Sequence, residues 1–320
     1  MSLKQPVYSL SICGRVVLDV HSLNNEGGEG NQIATRMVTL VYPDSASGEH
    51  RLATVNAVSG DMFKHIQAEH LYRLARGRLP LCQGCQMFSA SRILDDGAFM
   101  AKLPARKADV IDALLRHCAL DDMEGNLIAR AVRPVPRKSV AEFGWVVGVP
   151  DFTTTDSYFH VRYAAEGGER AEEAQQQAVF HRPASSGVYA VVASFEIARI
   201  GFNDISQQYP LSDDEREERY AAFVESILFT FVEPNGAMRA TQNPHIVEFQ
   251  GVVSVTHHVM PAPTLSPLDS RYRQEVERVA GALNDLKPGA VATHTFNSMG
   301  EFAEVMRNLV QGTRPYKMFA

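Results

Sequence analysis

The feature that most constrains the fold of this chain is an alternation of apolar and polar residues between positions 7 and 21. One face carries Tyr8, Leu10, Ile12, Val16, Leu18 and Val20, and the other carries Ser9, Ser11, Arg15, Asp19 and His21. Successive side chains of a β-strand point to opposite faces of a sheet. The alternation therefore predicts a long strand that is buried on one face only.

Further signals after this strand predict a hairpin and a helix. A glycine-rich turn at 24–31 leads to two β-rich runs, 37–42 and 51–58, which flank the turn signal Pro43-Asp44-Ser45. These runs predict a hairpin beside the first strand. Ser59 is a suitable N-cap for a helix from Gly60 to about Arg76, because its hydroxyl can accept a free backbone N–H.

The rest of the pattern predicts an α+β fold. Short helical stretches among Pro and Gly breaks mark 77–130 as a helical insertion. A strand near 143–149, a hairpin with arms 158–163 and 178–182, a strand at 188–197, a helix at 213–231 and a strand at 246–255 follow. Without insertions the order is β-α-β-β-α-β, the ferredoxin-like arrangement that the RNA recognition motif also uses.

Composition and charge exclude several classes of protein. The chain has 320 residues, 45% of them hydrophobic and 21% charged, which is ordinary for a globular protein. Its start has no apolar core of signal-peptide length, and no later stretch is long enough to cross a bilayer. Four cysteines do not make a disulfide framework in a chain of this length. We therefore expect a cytoplasmic protein with no membrane partner.

The net charge of −6 argues against a protein that coats nucleic acid indiscriminately. Two acid-free basic clusters nevertheless stand out, Arg73, Arg76, Arg78 and Arg92 first, then Arg130, Arg133, Arg137 and Lys138. Solvated helix and loop faces are the simpler interpretation of either cluster alone. The aromatic run with which RNA recognition motifs stack bases is not found in the sequence, so base-specific stacking on the sheet is not expected.

Five motifs carry a resemblance to a known family. They are Leu18-Asp19-Val20-His21-Ser22-Leu23-Asn24-Asn25-Glu26 with the following Glu29-Gly30-Asn31-Gln32 and Thr35-Arg36, then Val58-Ser59-Gly60-Asp61-Met62, Cys118-Ala119-Leu120-Asp121-Asp122, Arg137-Lys138-Ser139, and Pro234-Asn235-Gly236-Ala237-Met238-Arg239. Over residues 7–257 the chain resembles the DevR-type branch of the Cas-seven family of CRISPR-associated proteins.

The resemblance implies a division of the chain and a function. The expected units are a palm of RNA-recognition-motif type at 1–76 and 131–257, a helical insertion at 77–130, a thumb hairpin at 157–183 and a C-terminal helical extension at 258–320. The expected function is that of a non-catalytic subunit without cofactors. Such a subunit polymerises head to tail along a crRNA guide and presents it to target DNA together with other Cascade subunits. A free-standing RNA-binding protein that regulates its own transcripts is the alternative.

The candidate RNA-binding residues lie on these motifs. They are His21, Asn24, Asn31, Arg36, Ser59, Gly60, Lys64, His65, Arg137, Lys138, Gly236 and Arg239. A glycine-rich loop lets backbone N–H groups approach phosphate closely, and a helix N-terminus beside a cation attracts anions. A flexible turn and an ordinary capped helix are the alternatives for the first two motifs.

The cysteines leave two interpretations open. Cys82 and Cys85 have metal-ligand spacing, and His117 with Cys118 could complete four zinc ligands, but a single close pair favours free buried thiols and no metal. A thiol or metal-dependent enzyme built on Cys82, Cys85 and Cys118 is a third class of function.

The acids Asp121, Asp122 and Glu124 have no catalytic partners in the local sequence, so we expect them in a loop or at a helix terminus.

Overall fold

A large, mainly antiparallel sheet organises the fold, and it confirms the predicted α+β class. The computed structural model describes residues 4–44, 47–129, 134–162, 178–236 and 243–319. The strands are β1 (Gln5–Val7), β2 (Ser9–His21), β3 (Asn25–Glu29), β4 (Gln32–Thr35), β5 (Met37–Pro43), β6 (His50–Val58), β7 (Asn126–Ile128), β8 (Val135–Arg137), β9 (Ala141–Phe143), β10 (Val146–Arg162), β11 (Ala178–Phe195), β12 (His245–Thr256), β13 (Val291–Phe296) and β14 (Thr313–Pro315). The helices are α1 (Gly60–Ala75), α2 (Gln83–Gln86), α3 (Gly97–Met100), α4 (Lys107–His117), α5 (Ala119–Glu124), α6 (Asp213–Val232), α7 (Tyr272–Leu286) and α8 (Met299–Gly312).

Strand β2 lies at the centre of the sheet, whose order is β13-β12-β2-β11-β10-β6-β5. It pairs antiparallel with β11 on one side and β12 on the other. Phe223 of α6 contacts Phe195 of β11, and Phe302 of α8 contacts Phe249 of β12, with ring centroids 5.8 and 4.9 Å apart. These helices and α1 cover one face of the sheet and form the main core with it.

The other face of β2 is also covered, which differs from the predicted half-buried strand. The segment before α7 runs along its polar side chains, where Ser11 Oγ donates to the Pro263 carbonyl over 2.5 Å. Further along, the Arg15 guanidinium donates to the Pro267 carbonyl over 2.7 Å. Backbone carbonyls accept the hydrogen bonds of these polar side chains. The polar face of β2 therefore packs against a second layer of protein and not against solvent.

The alternation of β2 reverses at Val20. This residue has a left-handed backbone with φ of 53°, and its side chain is exposed while His21 is buried. The pairing of β2 with both neighbours shifts register at the same end of the strand. A left-handed residue turns the following side chain to the other face, so His21 points into the protein.

Two further parts of the chain differ from the prediction. The β5–β6 hairpin pairs with β10, through Val58 opposite Val146, and not with the first strand, whose edges β11 and β12 occupy. The segment 258–320 is not purely helical, because β13 extends the sheet beside β12 and β14 pairs with β1. Residues 77–129 contain α2 to α5. Among the described residues, no helix combines the length and the apolar character that spanning a membrane requires.

Candidate nucleic-acid interface

The start of α1 is fixed by a small network of polar groups. The Ser59 hydroxyl accepts the Met62 backbone N–H over 3.2 Å, while the Ser59 N–H donates to Asn24 Oδ1 over 2.7 Å. A Cβ on Gly60 would lie 2.2 Å from the Phe143 carbonyl oxygen, so only glycine fits at this position. Asn24, Ser59 and Gly60 therefore set the position of the helix, whose first two turns leave His65 exposed and Lys64 half-buried.

Lys64 and His65 stand beside a cavity of about 280 Å³ between α1 and the segment before α3. The cavity is lined by Asp61, Lys64, His65, Cys85, Phe88 and Arg92, among others. The His65 ring lies 5.6 Å from Phe88, which itself stacks on Tyr72 at 5.0 Å. The cavity thus combines two cations, an imidazole and the Asp61 carboxylate with one apolar wall.

Burial shapes the electrostatics of this cavity. It lowers the pKa of Lys64 from its usual value, because the charged amine loses solvation. It also raises the pKa of the buried Glu124, while the positive charges of Arg92 and Lys64 act in the opposite direction. Arg92 donates to the Gly125 carbonyl over 2.8 Å, which holds its guanidinium at the cavity. An anion in the cavity would stabilise the charged amine of Lys64 and so offset the solvation that burial removes.

The glycine-rich segment after β2 forms a hairpin and not the predicted turn alone. Strands β3 and β4 pair antiparallel, with Gly30 in a left-handed conformation at the bend. The Asn31 carbonyl accepts the His181 N–H over 2.8 Å and so joins this bend to β11. Asn31 is exposed at the tip. Arg36 lies 3.3 Å from Glu26 and places its guanidinium 5.8 Å from the Trp145 ring, so it is half-exposed and already partnered.

The predicted thumb arms form a regular strand pair. Strands β10 and β11 run antiparallel from Thr153 opposite Gly187 to Arg162 opposite Ala178. Tyr158 and Phe159 are 48% and 60% exposed on β10, which is unusual for neighbouring aromatic residues. The connecting residues 163–177 lie outside the described residues. Because consecutive residues of a strand point to opposite faces, the hairpin exposes one aromatic ring on each face, with Phe159 against His181 next to the β3–β4 bend.

His21 does not belong to the exposed part of this region, which corrects its prediction as an RNA ligand. Its side chain is 2% exposed, and its ring packs edge-on against Tyr189 at 4.9 Å. Burial lowers its pKa to about 4, so the imidazole is neutral at physiological pH. The left-handed backbone at Val20 is the reason that this residue faces inward.

Arg137 is also a structural residue and not a surface ligand. It is buried, with a guanidinium that donates to Asp122 Oδ1 over 2.7 Å and to the Phe202 and Arg199 carbonyls over 2.6 Å each. Lys138 is exposed, but its amine lies 3.0 Å from both Glu142 and Glu196. The two described residues of this sequence cluster are thus one buried and one surface cation.

The last predicted motif contributes packing. A Cβ on Gly236 would lie 2.6 Å from Leu23 Cδ2, so this glycine allows the chain to pass close to the end of β2. Arg239 lies outside the described residues.

The cysteines of the insertion come together with an acid that sequence reasoning did not select. The ligand atoms of Cys82, Cys85, Cys118 and Asp121 all lie within 4.8 Å of one another, and all four residues are buried. His117 is not part of this cluster, because its Nε2 lies 2.8 Å from Asp96 Oδ2. Three of the four free cysteines are therefore clustered. Asp121 and Asp122 lie in the first turn of the short helix α5 and Glu124 is its last residue, and all three acids are buried.

Arg92, Phe88 and Asp121 are the functional candidates that the sequence did not reveal individually. Arg92 belongs to the first acid-free cluster, but nothing local distinguishes it from Arg73 and Arg78, which pair with Glu69 and Glu225. Asp121 follows Cys118 at the same spacing as Cys85 follows Cys82. That repeated spacing is the signal that could have found it.

Comparisons with known proteins give one family match and several structural similarities. The model of the family described as "CRISPR-associated negative auto-regulator DevR/Csa2" matches residues 12–277. A relative from Methanocaldococcus jannaschii, described as "CRISPR-associated protein Cas7/Cst2/DevR", is 23% identical over 318 residues, which is 92% of this chain and 94% of the relative.

Two solved chains have a similar shape. One belongs to a "CRISPR RNA-guided surveillance complex" and superposes with a TM-score of 0.50 at 13% identity, covering 95% of this chain and 98% of that one. Another, from a surveillance complex described as "pre-nicking", gives a TM-score of 0.49 at 14% identity over 97% of this chain and 96% of that one. At 13% identity, the superposition with a TM-score of 0.50 indicates a shared fold.

Proposed function

This chain belongs to the DevR/Csa2 family of CRISPR-associated proteins, and on that premise we propose that it is a non-catalytic backbone subunit of a CRISPR surveillance ribonucleoprotein. The observation that carries the proposal is the family match over residues 12–277, which extends from β2 into α7. The resemblance of the sequence motifs to this family is thereby confirmed.

The strand order supports a palm of RNA-recognition-motif type. Along the chain, the elements β2, α1, β10, β11, α6 and β12 follow one another as β-α-β-β-α-β. In the sheet, β12, β2, β11 and β10 are consecutive neighbours, all antiparallel. We infer that these elements form the palm, that residues 77–130 form the insertion, and that β10 and β11 beyond the palm form the thumb.

Guide RNA would be bound mainly through its phosphates. Lys64, His65 and Arg92 supply donors at the cavity, and Arg36 supplies another near the base of the hairpin. Tyr158 and Phe159 would press against the bases of the neighbouring segment, where an aromatic face tolerates any sequence. The target DNA is then read by pairing with the guide and not by the protein.

Several copies are needed to cover a guide. Identical subunits that follow one strand meet head to tail, so one edge of each copy complements a different edge of the next without closing a ring. Other Cascade subunits would cap the two ends of such a filament.

We assign no catalytic role to the acids of the insertion. Asp122 is buried between two arginines, with Oδ1 2.7 Å from Arg137 and Oδ2 2.7 Å from Arg219. A carboxylate fully engaged in this way cannot bind a catalytic metal or act as a base without breaking both ion pairs.

The second candidate is a free-standing regulator of its own transcripts. The description of the matched family as a negative auto-regulator favours it. Co-expression of the chain with a CRISPR array, followed by purification, imaging and extraction of bound RNA, separates the two functions. Elongated particles containing spacer-derived guides support the subunit, whereas one or two copies on the chain's own message support the regulator.

A further inference from the structure

The buried cluster of Cys82, Cys85, Cys118 and Asp121 has the dimensions of a metal site. Asp121 Oδ2 lies 3.3 Å from Cys82 Sγ and 3.5 Å from Cys85 Sγ, and all four ligand atoms lie within 4.8 Å of one another. Zinc bonds of about 2.3 Å to sulfur and about 2.0–2.2 Å to oxygen place tetrahedral ligand atoms about 3.6–3.8 Å apart. The cluster needs only small side-chain shifts to surround an ion at its centre.

The ligands come from two pairs with identical spacing. Cys82 and Cys85 are three residues apart around α2, and Cys118 and Asp121 are three residues apart around the start of α5. In each pair the second residue donates its backbone N–H to the first sulfur, at 3.4 Å for Cys82 and 3.5 Å for Cys118. Such N–H donors offset negative charge on a metal-bound thiolate.

Asp121 is oriented from outside the cluster. Asn126 Nδ2 donates to Asp121 Oδ1 over 2.8 Å, which leaves Oδ2 directed at the sulfur atoms. A hydrogen bond to the non-ligating oxygen of a carboxylate is the usual way in which a protein orients such a ligand.

We propose that these four residues bind one zinc ion with a structural role. Three sulfur ligands favour zinc over magnesium or calcium, which prefer oxygen. Because the protein supplies all four ligands, no position remains for a substrate or a reactive water. The ion would join α2 to α5, and since Cys85 also lines the cavity beside Lys64, it would fix one wall of that cavity.

Metal analysis of the full-length purified protein tests the proposal. We expect about one zinc per chain, as for a closed four-ligand site, and loss of most of it in Cys82→Ser, Cys118→Ser and Asp121→Ala. Two control variants should retain it: Cys13→Ser, which changes the buried cysteine outside the cluster, and His117→Ala, which changes the ligand that sequence alone suggested.

Cobalt(II) uptake is a second measurement, and because it uses the wild-type protein it does not depend on the folding of the variants. Wild-type protein stripped of metal should take up one cobalt(II) ion per chain and show the strong visible absorption of tetrahedral cobalt with thiolate ligands. Asp121→His, which keeps a ligand at this position, should retain zinc. A folded wild-type protein that takes up neither zinc nor cobalt, a disulfide between Cys82 and Cys85 in the purified protein, or full zinc content in the Cys82 and Cys118 variants would overturn the proposal.

Discussion

Burial of the His21 imidazole makes stability depend on pH. Its pKa is lowered from 6.5 to about 4 by loss of solvation, so the unfolded chain takes up a proton here at a higher pH than the folded one. The stabilisation is present above pH 6.5 and is lost as pH falls toward 4, by on the order of 3 kcal/mol from a pKa difference of this size. Denaturant unfolding of wild type and His21→Phe across this range should show the loss in wild type only.

The prediction concerns the difference in the free energy of unfolding between wild type and His21→Phe at each pH, because other groups titrate in both proteins. His65→Ala, which removes an exposed histidine, should keep the wild-type dependence. Parallel curves for wild type and His21→Phe would contradict the burial of a neutral imidazole.

Asp122 connects three parts of the fold through buried charges. It lies 2.7 Å from both Arg137 and Arg219, and its carboxylate also accepts the Gly201 N–H at 3.0 Å. Asp122→Ala would leave the buried Arg219 guanidinium without its counter-ion and the buried Arg137 guanidinium with only the half-exposed Asp204, 3.2 Å away. We expect it to lower the free energy of unfolding by about 3–5 kcal/mol, measured by urea denaturation.

A surface ion pair is the matched control. Lys138→Ala removes the contacts to Glu142 and Glu196, which are exposed to solvent, and should cost less than about 1 kcal/mol. A comparable loss in both variants would mean that the buried network contributes no more than a surface one.

At this scale, the sequence revealed residue types but not their exposure. Arg137 and Lys138 are adjacent and equally basic, yet Arg137 is buried as the last residue of β8 and Lys138, which follows the strand, is exposed. His21 was placed on the polar face of an alternation that continues only until the left-handed residue Val20. Backbone inversion at a β-branched residue is uncommon and has no local sequence signal.

At the scale of elements, strong periodicity in the sequence was sufficient to predict the main strands and helices. The predicted strand at 7–21, the helix behind Ser59 and the helix at 213–231 correspond to β2, α1 and α6. In the structure, Ser212 forms a capping box with Glu215 at the start of α6. The strand that lies beside a given element was harder to predict, because a hairpin signal describes the pairing of its two arms and not the strand next to them. The β5–β6 hairpin was accordingly placed against the wrong strand.

The hairpin of β10 and β11 gives a prediction about one element. Tyr158 and Phe159 are exposed, so replacing both with Ser should leave the melting temperature nearly unchanged. If they press against guide bases, assembly on RNA should weaken by about tenfold to a hundredfold, since aromatic stacking contributes about 1–3 kcal/mol per base. Titration of a labelled guide, followed by native gel or mass photometry, measures the change.

Leu286→Ser is the control for this variant. Leu286 is 78% exposed at the end of α7, on the opposite face of the sheet, so the substitution removes an exposed apolar side chain without touching the hairpin. Equal weakening by the control would indicate a general effect of surface polarity and remove the argument for a thumb.

At the scale of the whole molecule, the proposed function requires an acidic chain to bind a polyanion through a local surface. The net charge is −6, whereas the cavity beside α1 gathers Lys64, His65 and Arg92. Phosphate contacts of this kind make affinity fall steeply with salt, while contacts to base edges would make it depend on sequence. We expect guides of equal length and different spacer sequence to bind with similar affinity and to share one salt dependence.

The slope of that dependence identifies the contact. For single-stranded nucleic acid, the slope of log affinity against log salt changes by about 0.7 for each phosphate contact. Lys64→Ala should therefore weaken binding at low salt and reduce the slope by about 0.7 for each phosphate that one subunit's lysine engages. Lys287→Ala, which removes an exposed lysine at the end of α7, should leave both the affinity and the slope unchanged. A slope that Lys64→Ala does not alter, or an affinity that follows spacer sequence more closely than salt, would exclude phosphate binding at the cavity. The second outcome would mean that the chain recognises RNA through base contacts, as a transcript-specific regulator does.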